Sequence, residues 1–302
     1  MPMKGWAGVL LWSALLAGCT SLHLLHPPDP TAEEMEGTSL PIDPLYRKVI
    51  AAVKSYYPQI DLATAGSEEM APWLSRITPG SSIQKVPPSS LNFIRGLEPE
   101  RSVDPIAPLA PSIFYLKVSF WGRRTVAEAT RQIAGKRERM EQPGGGLILD
   151  LRGNRGGQVD AALEMVNTFL PAGRTVATIH PVRGESAPYR TSFPDPYRFP
   201  VVLLVDHQTA SSSELFSGIL QHEKRAVLIG MQTAGKDTIQ SAIPLDPEHL
   251  LLLTTGHFEL PGQPRLLGKG LAPDDPVQEE DNPEDRAQVF FKRPDLMSGN
   301  KD

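Results

Sequence analysis

Cysteine occurs once in these 302 residues, at position 19. A single thiol excludes an internal disulfide and any metal site built from paired cysteines. Positive charge is also short: 30 Lys and Arg stand against 35 Asp and Glu, a net charge of −5. That balance gives no electrostatic basis for a nucleic-acid partner. The histidines form no His-Glu-x-x-His pattern, so no metal is expected, and no motif asks for an organic cofactor. The N-terminal apolar run, residues 6–16, is too short to cross a bilayer as a mature helix. No segment repeats with a period of tens of residues. What remains is an ordinary globular composition, 40% hydrophobic and 22% charged. Its prolines concentrate before residue 112 and after residue 180, and a connecting, loop-rich front half is the simplest explanation.

The N-terminus places the one cysteine in context. Lys4 precedes the apolar run, which ends in Leu16-Ala17-Gly18-Cys19. Small residues just before a cysteine resemble a bacterial lipoprotein signal. The resemblance implies that residues 1–18 are removed and Cys19 is lipidated, anchoring to a membrane a body that stays in water. Thr20, rather than Asp, follows the cysteine. By the same resemblance this favours the cell envelope, on the periplasmic face of the outer membrane. An ordinary secretory signal with an incidental cysteine is the alternative.

Past the signal, residues 19–44 read as a tether rich in Pro, Asp and Glu. Residues 45–83 form a short N-terminal helical segment, with Leu45, Val49, Ile50 and Val53 at helical spacing and a second helix over 70–77. Residues 84–112 are a Pro-rich linker, 113–277 the regular core, and 278–302 a charged C-terminal tail in which Glu279-Glu280-Asp281 is a solvated surface. Within the core, strands are expected over 113–120, 147–151, 201–205, 226–230 and 250–254. Helices are expected over 125–140, 158–170 and 211–222, the first opened by a Thr125/Glu128 capping box. Strands alternating with helices imply an α/β layered domain.

Three turns carry the chemistry. Asp150-Leu151-Arg152-Gly153-Asn154-Arg155-Gly156-Gly157 follows a buried-strand run, and its glycines allow several backbone N–H groups to point outward together. Thr209-Ala210-Ser211-Ser212-Ser213-Glu214 lies where a strand turns into a helix, and Thr233-Ala234-Gly235-Lys236 ends the next strand. Taken alone, the serines are a helix N-cap and the glycines a tight connection. Gly230 to Lys236 also fits the opening of a phosphate loop, but Asp237 stands where a magnesium-binding hydroxyl belongs. His207, His222 and His257 are candidates for a Ser-His-Asp triad, yet no Gly-x-Ser-x-Gly pattern accompanies them.

Taken together, the turns resemble the motifs of the tail-specific, or C-terminal processing, serine peptidases. The glycine turn resembles that family's Asp-Leu-Arg-x-Asn-x-Gly-Gly segment. Ser211 leads to Lys236 and then Gln240 at the family's spacings, and Gly268-Lys269-Gly270-Leu271-Ala272-Pro273-Asp274 resembles its closing motif. The resemblance implies a Clp-protease/crotonase-like fold and a protein or peptide substrate. It makes Ser211 the nucleophile, Lys236 the general base, and Gln240 the group orienting the amine. Ser212 and Ser213 are reserve nucleophiles. It implies oxyanion donors at the backbone N–H groups of Gly157 and Ser212, with Asp150 and Arg152 anchoring the turn. Relatives commonly carry a peptide-reading PDZ domain where this chain has only residues 84–112. An adaptor in its place, or a catalytically weak binding or scaffold protein on the same fold, are the readings that this difference opens. The motifs say nothing of oligomeric state.

Overall fold

The computed structural model describes residues 43–57, 59, 69–85, 101–278 and 282–291. Cys19, the expected signal and nearly all of the tether lie outside them. Asp43 caps the first helix, α1 (Pro44–Tyr56), by accepting from the Leu45 amide at 2.6 Å, and Pro44 opens it. α2 (Met70–Ile77) and β1 (Ser82–Lys85) follow. After residue 100 come β2 (Ala107–Pro108), β3 (Ile113–Lys117), α3 (Arg123–Ala134), the single turn α4 (Arg137–Met140) and β4 (Gly146–Asp150). Next are α5 (Val159–Asn167), β5 (Thr175–Pro181), β6 (Ala187–Arg190), β7 (Val201–Val205) and α6 (Ser212–His222). β8 (Val227–Gly230), β9 (Thr238–Pro244), β10 (His249–Glu259), β11 (Asp275–Pro276) and α7 (Pro283–Phe291) complete the order.

The chain divides into two compact units. One gathers the described residues before 98 with His180–Ser186 and Thr238–His257. Here β10 pairs antiparallel with β1 and with β9. The helical stripe of α1 (Tyr46, Val49, Ile50, Val53) and Trp73 with Leu74 of α2 bury against Ile243, Leu251 and Leu253. Full burial of each such side chain is worth about 1.5–3 kcal/mol, so an α1 otherwise too short to be stable alone is held by packing.

The other unit holds Glu98–Ile179, Ala187–Asp237 and the residues from Phe258. Its sheet runs β11-β8-β7-β4-β3-β2, parallel except for β2. β4 and β7 are buried along their whole length, as strands covered on both faces must be. β3, β4, β7 and β8 lie side by side in chain order, so every crossover steps the same way. Right-handed crossovers then put α3, α5 and α6 on one face. α7 covers the other, where Ala287 and Phe291 join Ile148, Val202, Leu204 and Ile229.

Four details depart from expectation. The α3 helix starts at Arg123 with Gly122 as its cap, so Thr125 and Glu128 make no capping box. Thr125 Oγ1 instead meets Ser102 Oγ at 2.5 Å, and Glu128 binds Arg131 and Gln132. The final residues of the expected linker are part of the unit: Val103 bridges Val118 and is buried. The β5–β6 hairpin lies between the expected helix over 158–170 and the expected strand over 201–205, where no element is expected. The expected charged tail contains α7, because Pro283, Ala287 and Phe291 are buried and dock an otherwise polar helix.

Candidate active site

In a parallel sheet the carboxyl ends of neighbouring strands share one edge, and the loops there form the natural site. β4, β7 and β8 are neighbours, so the turns that follow them meet. Hydrogen bonds knit them. Thr209 Oγ1 donates to Leu151 O at 3.0 Å, the Ala210 amide to Asn154 O at 3.1 Å, and the Ala234 amide to Thr209 O at 3.0 Å. The Asp206 carboxylate accepts from the amides of Gly153, Gln208 and Thr209. Gly157, Ser211, Ser212 and Lys236, scattered over the sequence, are thereby brought to one edge.

The glycine turn is built from its first residue onward. Asp150, with no solvent exposure, binds the Arg152 amide at 2.9 Å and the Arg152 guanidinium at 2.9 and 2.7 Å, and takes the Tyr115 hydroxyl as well. Burial alone would raise the Asp150 pKa, but the bonds from Arg152 and Tyr115 outweigh it and hold the carboxyl below its ordinary value. Asn154, also buried, ties Val118 O to the Gly156 amide. The Trp121 amide then donates to Gly156 O, and the Gln158 amide to Trp121 O. This parallel bridge at Gly157 leaves the Gly157 N–H facing away from Trp121. At φ 149° and with the Trp121 carbonyl where a Cβ would stand, only glycine fits there. A Cβ on Gly156 would lie 3.0 Å from Ser211 Cβ, which measures how closely the two turns approach.

Ser211 is the N-cap of α6 at φ 57° and ψ −121°, a conformation rare for any residue with a side chain. Such strain costs about 1–3 kcal/mol and persists only where the surroundings enforce it. Ser212, the first helical residue, has an amide with no acceptor inside its own helix. Ser212 and Ser213 are fully buried, and Ser213 Oγ accepts from Trp121 Nε1 at 2.9 Å. Of the three serines, Ser211 alone reaches partial exposure.

Glu214 is the residue that inspection of the motifs passed over. Its carboxylate is fully buried and accepts four bonds from uncharged donors. Oε2 takes the Ser211 amide at 2.9 Å and the Lys236 amide at 2.8 Å; Oε1 takes the Gly235 amide at 2.7 Å and Thr233 Oγ1 at 2.5 Å. One oxygen thus fixes the backbone of Ser211 and of Lys236 within two hydrogen-bond lengths of each other. The Ser-x-x-Glu spacing of a capping box was the signal that could have revealed it.

Lys236 is half-buried. Loss of water around its amine lowers its pKa, while the Glu214 charge pulls the other way. Its neighbour Asp237 is buried and occupied by a bidentate pair with Arg265, at 2.6 and 2.8 Å. Gln240 lies on β9 in the other unit, where its side-chain amide donates to Gly80 O. Among the histidines weighed as triad members, His207 is exposed and His222 sits at the far end of α6 from Ser211. His257 stacks on His180 in the other unit.

Residues 112–277, more than half of the chain, match the model of peptidase family S41. A carboxyl-terminal-processing protease of Synechocystis is 32% identical over 177 residues, 56% of this chain and 38% of that protein. The chain therefore spans little more than a third of that relative's length. A lipoprotein from Streptococcus agalactiae shares the fold at a TM-score of 0.62 and 17% identity, over 84% of this chain and 98% of that one. The photosystem II D1 C-terminal processing protease aligns at 0.50 and 24% identity, over 64% of this chain and 52% of that one. The three turns, in this order at the ends of neighbouring parallel strands, lie within a chain that belongs to peptidase family S41.

Proposed function

We propose that this chain is a serine endopeptidase that uses Ser211 as nucleophile and Lys236 as general base. The observation that carries the reading is the shared Glu214 oxygen, which couples a strained serine turn to a lysine whose pKa is lowered. The neutral Lys236 amine takes the Ser211 Oγ proton as Oγ attacks a peptide carbonyl. The oxyanion is received by the Gly157 and Ser212 amides, each worth about 10²–10³ in turnover. The C–N bond breaks, the Lys236 ammonium protonates the leaving amine, and water activated by the regenerated amine hydrolyses the acyl-enzyme.

The substrates in this reading are unfolded or C-terminally exposed envelope proteins, reached from a lipid tether at Cys19. The Streptococcus lipoprotein of like fold agrees with such a setting. With residues 84–112 too short for a PDZ domain, which needs about 80–90 residues, an adaptor or the core itself selects the substrate.

The test uses the chain without residues 1–19, in wild-type, Ser211→Ala and Lys236→Ala forms, on unfolded model proteins with apolar C-termini. Cleavage by the wild type alone, with acylation of Ser211 by a serine-reactive probe, is expected. Cleavage unchanged in Ser211→Ala overturns the nucleophile. Neither cleavage nor labelling of the wild type makes the chain a binding protein on a peptidase scaffold.

A further inference from the structure

Arg152 holds a second carboxylate that the glycine turn does not itself contain. Its Nη2 donates to Asp150 Oδ2 at 2.7 Å and to Glu284 Oε1 at 2.8 Å. Glu284 stands in the first turn of α7, where its amide is capped by Asn282 Oδ1 at 3.0 Å. The helix is seated by Ala287 and Phe291, and a Cβ on Gly146, at the start of β4, would overlap the Phe291 ring. α7 is thus fixed to the strand that ends in Asp150 and reaches across its end to Arg152.

Charge explains why the second carboxylate is needed. Lys117 Nζ lies 3.4 Å from Asp150 Oδ2 and donates to Arg152 O at 3.3 Å. Two cations therefore face one buried acid, and Glu284 supplies the matching charge. Geometry adds to this. Asp150 holds Nε and one N–H of Nη2 in a two-pronged pair, and Glu284 takes the other N–H of Nη2, a third bond that ties the same guanidinium to α7. Arg152 is the residue from which Gly153 to Gly157 depart.

We propose that Glu284 is a positioning residue: through Arg152 it makes the order of the glycine turn depend on the docked C-terminal helix. Its catalytic consequence rests on the reading of Gly157 as an oxyanion donor; the mechanical link does not. Because the Arg152–Glu284 pair is partly exposed on both sides, 27% and 36%, its loss should barely change global stability. A local effect on the turn is then separable from unfolding.

The full-length chain is compared with Glu284→Gln, Glu284→Asp and Arg286→Gln, the last removing the Arg286–Asp275 ion pair of the same helix. Hydrogen exchange is followed in peptides spanning 151–157 and 206–213, together with thermal unfolding and cleavage of an unfolded model protein. In Glu284→Gln, exchange at 151–157 should rise about tenfold while 206–213 and the midpoint, within about 2–3 °C, hold. kcat should fall about three- to tenfold with KM within about twofold, since a transition-state contact is loosened. Glu284→Asp should recover part of both, and Arg286→Gln should match the wild type. Unchanged exchange at 151–157, or equal loosening of both peptides, overturns the proposal. Faster exchange at 151–157 in a chain whose wild type never cleaves upholds the link and sinks the peptidase reading instead.

Discussion

Two buried carboxylates organise the site, and they are satisfied in opposite ways. Asp150 anchors the glycine turn through a guanidinium, with Lys117 and Glu284 extending the charges outward to solvent. Glu214 anchors the serine turn through three backbone amides and a hydroxyl, all neutral. A charged clamp suits a turn at the edge, where long side chains reach water and exchange partners. Beside Lys236, the base of the proposed mechanism, neutral amides fix the backbone without a competing cation bound to the same acid. The first arrangement shares its charges among several side chains; the second rests on one carboxylate.

The comparison predicts unequal costs. Glu214→Ala leaves four donors without this acceptor, those of Thr233 and Gly235 buried, and frees Ser211 and Lys236 together. Unfolding free energy should fall by about 3–5 kcal/mol, with no measurable turnover. Asp150→Ala leaves Arg152 with Glu284 and access to water, so its cost should be nearer about 2 kcal/mol. Denaturant midpoints on both variants give the ranking, and the reverse order would break the comparison. Gly157→Ala sharpens the role of the glycine turn. The added methyl meets the Trp121 backbone at a φ unsuited to alanine, costing about 2–4 kcal/mol, and turnover falls further than Gly173→Ala, an open site, would cause. Arg152→Lys keeps the charge but loses the two-pronged grip. Turnover should fall about tenfold with about 1 kcal/mol of stability.

Much of this frame was legible from residue pattern. The all-apolar runs of β4 and β7 need two covered faces, and their neighbouring order follows from the helices between them. The serine, lysine and glycine turns are legible because the family's spacings are local in sequence. Glu214 was not, since its importance lies in bonds to residues 19 to 22 positions away in the chain. α7 was hidden for a related reason: Ala287 and Phe291 give too weak a stripe to outweigh the acidic residues around them. The Thr125/Glu128 pattern misled because Gly122 caps the helix three residues ahead of Thr125.

The smallest expected effect concerns protons. Lys236 has a folded-state pKa below its unfolded value because burial strips water from the ammonium, a loss the Glu214 charge only partly offsets. Turnover should therefore rise with pH as the amine is freed and level off at an inflection below the ordinary lysine value of about 10.4. The same shift acts on stability with a definite sign. Above the unfolded pKa both states are neutral and nothing is lost. As pH falls toward the folded pKa the unfolded chain gains a proton that the folded chain resists, so the folded state is penalised, and the penalty is full below that value. Lys236→Met should then be slightly more stable than the wild type near pH 7 and indistinguishable from it near pH 11. Partial exposure of Lys236 keeps the gain small. Denaturant titrations at the two pH values decide it. A gain that persists undiminished at high pH would mean that methionine simply packs better, and that the amine at this edge of the sheet is not held short of water.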